Sequence, residues 1–518
     1  MKMRFVVLAC FILATLLTGC APQRTTLTVL AGSELQDLAP LFPQIERHTG
    51  VQLKTEYIGS LTGAEKLLAG ADYDLAWFSH GKYLDLLGRQ RGLVVAQEKI
   101  MLSPVVLGVK ESKARALGWL NRSNVAWRDI ADASSAGKLR FAMTNPTASN
   151  SGFTALVGVA TALSGRGDAL TLADVQATAL AGFFKGQTLT AGSSGWLAES
   201  YVASQNDLDG MINYESVLLD LNETGKVREK LALIYPEEGI ITADYPLMLL
   251  DKGQRAAYDR LVAYLRSPDF QKELMAKTLR RPAIPGVALD RRIPNRLLVE
   301  LPFPNTADVL DALLFSYLDE QRVPAHAYFV LDVRGSMQGE GLAGLQRALN
   351  GLTGQDTSLT GRFARFRGRE KITVITFNQA VQPAQDFLID DTQPQGADMR
   401  RIRDFVAGLQ AGGNTAIYSA LAEAYRLAAE AQQREPDRYY TIVLMSDGAS
   451  NSGLSAEQFR AQYDQLPPPA KNIRTFTVIF GKAERATMEQ IATTTGGRTF
   501  DGTKDPLDFI FKQIRGYQ

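Results

Sequence analysis

Apolar residues in this chain come in short continuous runs, each leading into a polar loop and then into apolar positions at helical spacing. Residues 27–30 read as a buried strand, Gly32 and Ser33 turn the chain, and residues 34–45 place Leu35, Leu38, Leu41 and Ile45 on one helical face. The alternation in VQLKTEYI (51–58) predicts a strand, GSLTGAEKLLAG (59–70) a loop entering a helix, and YDLAWFS (73–79) another strand. SPVVLGV (103–109), the strand, loop and helix of 138–163, GMINYESVLLDLN (210–222) and GIITADYPLMLL (239–250) continue the pattern. Residues 257–279 read as one helix or two, with Ser267-Pro268 marking a break. Strands alternating with helices predict an α/β fold with a largely parallel sheet.

The pattern stops at 280–306, which carries five prolines and no sustained periodicity, and a domain boundary falls there. Residues 288–324 read as a linker that includes a helix over 306–318. A second α/β series starts at His326. Its strands are 326–332, 371–377, 439–445 and 473–480, with helices near 340–352, 398–409, 415–433, 456–465, 484–494 and 505–515. Apolar strands with helices on both sides imply a doubly wound, mostly parallel sheet over 325–518. A chain of 518 residues is too long for one core, in keeping with this division.

Composition adds three constraints. The chain is 45% hydrophobic and 21% charged with a net charge of +1, so it folds and presents no overall basic field for nucleic acid. Lys2 and Arg4 precede an apolar stretch, 5–17, too short for a membrane span and right for a signal peptide. LTGCAP (17–22) then resembles the bacterial lipoprotein box. That resemblance implies a signal over 1–19, cleavage before Cys20, lipidation (palmitate) of its thiol, and a tether over 20–26. An ordinary secretory signal with a chance cysteine is the alternative. The protein is then lipid-anchored in the cell envelope, facing the periplasm or exterior. Without an aspartate after Cys20, attachment to the outer membrane is favoured in a Gram-negative source. The other cysteine, Cys10, leaves with the signal, so no disulfide and no cysteine catalysis is expected.

Polar loops at strand C-termini are where α/β sheets bind ligands. Here they carry Ser33, Ser60, Ser79 and, in TNPTASNSG (144–152), Thr144, Asn145, Ser149, Asn150 and Ser151. The last loop runs into a helix, whose free N–H groups suit an anion or a carbonyl. Each serine or asparagine is also a plausible N-cap. GSSGW (192–196) reads as a structural turn. Residues 27–287 resemble a two-lobed, type 2 periplasmic solute-binding protein through GSELQDLAPLF, HTGVQLKTEYIGS, AGADYDLAWFS, SPVVLGV and SPDFQKEL. The resemblance implies a cleft between lobe one (27–102 and 242–287) and lobe two. Its ligand would be small and polar or anionic, and Tyr214 and Glu215 would be further cleft residues. Glu215 would oppose an anion. A transport permease would be a natural partner; a scaffold, adhesion or sensor role without transport is the alternative.

In the second series FVLDVRGSM places Asp332 at a strand end and Ser336 after it, GGNT places Thr415 at a helix start, and LMSDG places Asp447 at another strand end. Such oxygens suit Mg²⁺, Mn²⁺ or Ca²⁺. Residues 325–518 resemble the von Willebrand factor A (VWA) domain, whose metal-dependent adhesion motif is Asp-x-Ser-x-Ser, then Thr, then Asp. That implies a protein partner whose carboxylate completes the metal shell. Arg334 stands where the motif has its first serine. A guanidinium cannot ligate a metal. Either it takes the cation's place, or it swings outward and leaves a weaker site. His48, His80 and His326 are scattered, and neither Gly-x-Ser-x-Gly nor a phosphate-cradling Gly-Lys-Ser/Thr loop occurs, so no enzyme is expected.

Overall fold

The computed structural model describes residues 24–88, 91–165, 168–175, 177–358, 361–446, 450–481 and 484–518. The fold is α/β, built on three sheets. Two belong to the first series and face each other as lobes. In lobe one the strand order is Val51–Ile58, Thr25–Gly32, Leu75–Trp77, Pro246–Leu249, Ala96–Lys99. Its first three strands are parallel, and Pro246–Leu249 runs antiparallel to both its neighbours. Lobe two has the order Thr242–Ala243, Met101–Lys110, Gly210–Tyr214, Phe141–Thr144, Gln187–Ala191, and Leu231–Ile234 and Arg281–Pro282 also pair with Met101–Lys110.

The chain crosses between lobes after Lys99 and returns after Ala243, because Thr242–Ala243 still pairs with Met101–Lys110. The return therefore falls after residue 243 rather than at 242. The 257–279 stretch is two helices, Arg255–Leu265 and Pro268–Thr278. Ser267 accepts from the Phe270 N–H at 3.4 Å as the N-cap of the second, and Pro268 sits at its first position, where no N–H is needed.

The proline-rich segment is packed rather than extended. Ile293 and Leu301 are buried, and the Phe303 ring stacks on His80 at 5.1 Å. A parallel bridge joins Glu300 to Ile240. These anchors tie the segment back onto the solute-binding half before the helix Ala307–Ser316 leads away.

The third sheet has the order Gln385–Leu388, Lys371–Phe377, Ala325–Asp332, Tyr439–Ser446, Arg474–Ile479, Thr499–Asp501. All neighbours are parallel except the antiparallel edge strand Gln385–Leu388. The first strand in sequence is central, and the chain winds outward from it in both directions. Its C-terminal end is thus the topological switch point, where open α/β sheets place their sites. Ala325–Asp332 is buried along its whole length, as a strand covered by helices on both faces must be. One apolar cluster runs from Leu197 and Tyr201 of lobe two to Phe511 and Tyr517 of the last helical segment, so the two halves share a core. Among the described residues no helix is long and apolar enough to cross a membrane.

Candidate functional site

The two lobes present the C-terminal ends of their strands to each other. From lobe one come Ser33, just after Thr25–Gly32, Ser60, opening the helix Ser60–Leu68, and Ser79, just after Leu75–Trp77. From lobe two come Thr144 at the end of its strand, Ser149 just before the helix Asn150–Ser164, and Tyr214 ahead of Glu215–Glu223. All ten residues singled out in the cleft are at most 5% exposed.

Most of these groups meet. Ser33 Oγ donates to Ser193 Oγ at 2.7 Å and accepts from the Gly195 N–H at 3.1 Å. Tyr214 donates across the lobes to Ser79 Oγ at 2.6 Å, and Ser79 lies 3.2 Å from Ser60 Oγ. Asn150 Nδ2 donates to the Tyr214 hydroxyl at 3.4 Å. Ser194 Oγ lies 3.2 Å from Ser149 and 2.8 Å from Ser151, and Ser151 lies 2.9 Å from Thr144. The lips close on Gly59, where a Cβ would stand 2.4 Å from the Gly192 carbonyl oxygen and 2.5 Å from that of Ala148. Beside it the Thr62 N–H donates to the Ala148 carbonyl at 3.2 Å.

Two candidates lie elsewhere. Asn145 closes its own turn, accepting from Thr147 N at 2.9 Å and Oγ1 at 2.8 Å, and its amide nitrogen reaches the Arg515 carbonyl at 3.5 Å. Glu215 is fully buried, and its carboxylate is taken by Arg281, with Nε and Nη2 each at 2.8 Å, and by the Tyr235 hydroxyl. The expectation that it opposes an anion in the cleft is therefore corrected: its charge is neutralised by a buried partner.

Three cleft residues were not singled out from sequence. Ser193 and Ser194 lie in the GSSGW segment read as a structural turn; Ser194 is the hub of the lobe-two hydroxyls and Ser193 reaches Ser33 of lobe one. They too follow a strand end, Gln187–Ala191, which is the signal that could have found them. Glu34 is the third. It is buried, its Oε1 has no hydrogen-bond partner among the described residues, and burial raises its carboxyl to about 7. Arg280 and Ser79 only partly counter that rise. Arg280 is itself committed to Asp37 at 2.6 Å and to the Glu34 backbone carbonyl at 3.0 Å. The site thus offers hydroxyls, amides and one buried carboxyl whose pKa is raised by burial.

At the switch point of the third sheet, Asp332 accepts from the Arg334 N–H at 2.9 Å and from Ser446 Oγ at 2.6 Å. The Arg334 side chain folds inward: Nε donates to Ser336 Oγ at 2.6 Å and Nη1 to Thr415 Oγ1 at 3.0 Å. Thr415 is fixed by Asn451, whose Oδ1 accepts from the Thr415 N–H at 2.9 Å. Asp447 lies outside the described residues, as does Cys20. The hydroxyls that would ligate a metal thus accept hydrogen bonds from a permanent cation. A divalent ion placed between them would sit directly against that guanidinium, and the two like charges would repel. With Arg334 in this position the described residues of the motif do not fit a divalent metal.

Comparison with known proteins agrees with this architecture. The bacterial extracellular solute-binding protein family matches residues 27–277, and the von Willebrand factor type A domain matches 327–512. The chain carries a solute-binding domain of the first family followed by a VWA domain. Similar solved structures include the periplasmic binding protein AfuA from Actinobacillus pleuropneumoniae with fructose-6-phosphate bound, 13% identical over 57% of this chain and 99% of that one, TM-score 0.45. The sulfate-binding protein SubI from Mycobacterium tuberculosis is 19% identical over 51% of this chain and 89% of that one, TM-score 0.41. Human inter-alpha-trypsin inhibitor heavy chain H2 is 29% identical over 134 residues, which is 25% of this chain and 13% of that protein.

Proposed function

We propose that this is an envelope-anchored binding protein that takes a small polar or anionic ligand between its lobes and a protein partner on its VWA domain. The observation that carries the reading is the convergence of Ser33, Ser79, Ser149, Ser151, Ser193 and Tyr214 from the strand ends of two facing sheets. Hydroxyls and helix N-termini recognise polar ligands. Such a set offers binding chemistry, and the protein is read as a binder, not an enzyme. Lipidated Cys20 would hold it to the membrane on the periplasmic or exterior side. At the VWA loop Arg334 stands in for the metal, so partner docking needs no divalent ion.

A scaffold or sensor role without transport is the second reading. The closed lips and mutually bonded hydroxyls favour it. Native mass spectrometry of the purified protein decides between the two, first as isolated and then with added sulfate, inorganic phosphate and fructose 6-phosphate. A retained or added ligand, lost in Ser193→Ala/Ser151→Ala, supports ligand capture. No binding under any condition favours the scaffold.

A further inference from the structure

The last helix of the VWA domain, Leu507–Arg515, and the residues after it touch both lobes where they meet. On the lobe-one side, the Phe509 ring packs against the first core cluster and lies 5.4 Å from Lys66 Nζ. On the lobe-two side, the Tyr517 ring stacks on Trp196 at 6.1 Å with an interplanar angle of 19°. Asn145 donates to the Arg515 carbonyl, and Gly516 is so close that a Cβ there would stand 3.2 Å from Ala148 Cβ and 3.3 Å from Gly192 Cα. Ala148 and Gly192 are the residues whose carbonyls face Gly59 across the lips. The same two residues thus meet lobe one on one side and the VWA segment on the other.

The segment is also firmly held at its base. Arg515 is buried and pairs with Glu370 at 2.8 Å, and Glu370 also binds Arg322. Arg322 in turn donates to the Gln518 backbone carbonyl at 2.8 Å. Phe511 stacks on Phe329 of the central VWA strand at 5.9 Å, and Tyr517 packs on Phe476 at 4.8 Å. Lobe motion therefore cannot carry this segment along without disturbing the VWA core. Separating the lobes would pull Phe509 from Lys66 or Tyr517 from Trp196, because the two contacts lie eight residues apart on one helix and its C-terminal turn, held at the base by Arg515.

We propose that this segment is a strap that holds the two lobes closed, so that the cleft opens only when the VWA domain undocks. Whatever draws the VWA domain away would then admit or release the cleft's ligand. The inference rests on the two-lobed geometry and not on which ligand is bound. Hydrogen–deuterium exchange on the intact protein, with no ligand added, tests it. The reporters are the Thr62 and Gly195 amides, which bridge the lobes. The strands Met101–Lys110 and Ala325–Asp332 are controls. Phe509→Ala and Tyr517→Ala should each speed exchange at both reporters by about tenfold or more, leaving the controls unchanged. Exchange that changes only in the lobe touched by the substituted residue, or at neither reporter, overturns the proposal. Should Tyr517→Ala also expose Ala325–Asp332, the half-buried Phe509→Ala decides alone.

Discussion

Replacing Glu215 should cost stability rather than ligand affinity, and the size of the loss follows from its surroundings. Its carboxylate is fully buried and holds Arg281 through two hydrogen bonds of 2.8 Å, with the Tyr235 hydroxyl on the same group. Arg281 is itself only 7% exposed, and it also donates to the Pro294 carbonyl at 2.8 Å. Glu215→Gln therefore strands a buried guanidinium, and losses of this kind run to about 3–5 kcal/mol. Part of the pair's mutual attraction only repays its desolvation, so removing both charges should cost far less than removing one. Glu215→Gln/Arg281→Met should recover most of the loss, leaving a coupling energy of about 2 kcal/mol or more. Urea unfolding followed by fluorescence of the buried Trp77, Trp119 and Trp127 of the solute-binding half reads these values. Native mass spectrometry of any retained ligand shows whether affinity moves. A Glu215→Gln variant with unchanged midpoint, or one that loses ligand at full stability, would refute the structural assignment.

Three further outcomes are expected. Wild-type protein should show no shift in melting temperature with millimolar magnesium, whereas Arg334→Ser, which restores the Asp-x-Ser-x-Ser pattern, should gain one. A magnesium-dependent shift in the wild type would end the arginine-for-metal reading. Gly59→Ala should force the lips apart, since its Cβ would stand 2.4 Å and 2.5 Å from two backbone carbonyl oxygens, and the Thr62 amide should exchange faster. Stability should fall as pH rises toward 8. Burial raises Glu34 to about 7 and Glu65 to about 8, both above the 4.5 of an unperturbed glutamate. Groups raised in the folded state contribute fully below 4.5 and lose that contribution as pH passes through their folded values. Glu65 faces Tyr83, Arg362, Lys512 and Asp311, and Glu65→Gln should flatten the upper part of the profile. An unchanged slope in a chemical-denaturation series across that range would contradict it.

The long apolar runs made the sheets legible, because strands buried on both faces advertise themselves as unbroken hydrophobic stretches. Ala325–Asp332 and Tyr439–Ser446 are of this kind. Gln385–Leu388 and Thr499–Asp501 are absent from the expected strands for the opposite reason. The first is an edge strand with one buried residue, and the second has three residues in all. The packing of the proline-rich stretch was hidden because its anchors, Ile293, Leu301 and Phe303, follow no period. Hydroxyl loops at strand ends were visible as a class, and Ser193 and Ser194 were passed over only because two glycines framed them. The fates of Glu215 and Glu34 could not be read at all. The partner of Glu215 is 66 residues away, and Glu34 looks like any helix-opening carboxylate until a second lobe buries it.

In both sites the groups that would serve a ligand already serve each other, and this sets the energetics of function. Ser33 with Ser193, Gly195 with Ser33, Tyr214 with Ser79 and Thr62 with Ala148 form four bonds between the lobes. At about 1 kcal/mol net each, they favour the closed state by about 4 kcal/mol before any contribution from the VWA segment. A ligand that needs the lobes parted then binds about a thousandfold more weakly than its contacts alone would allow. The VWA contacts through Phe509 and Tyr517 add to that penalty when docked and remove their share when released. Arg334 acts in the same sense at the VWA loop, where it satisfies Ser336 and Thr415 from within. A metal-gated adhesion loop switches on ion availability; this one carries its cation covalently. What remains to be switched is the contact between the domains, and that places control of the cleft in the buried surface they share.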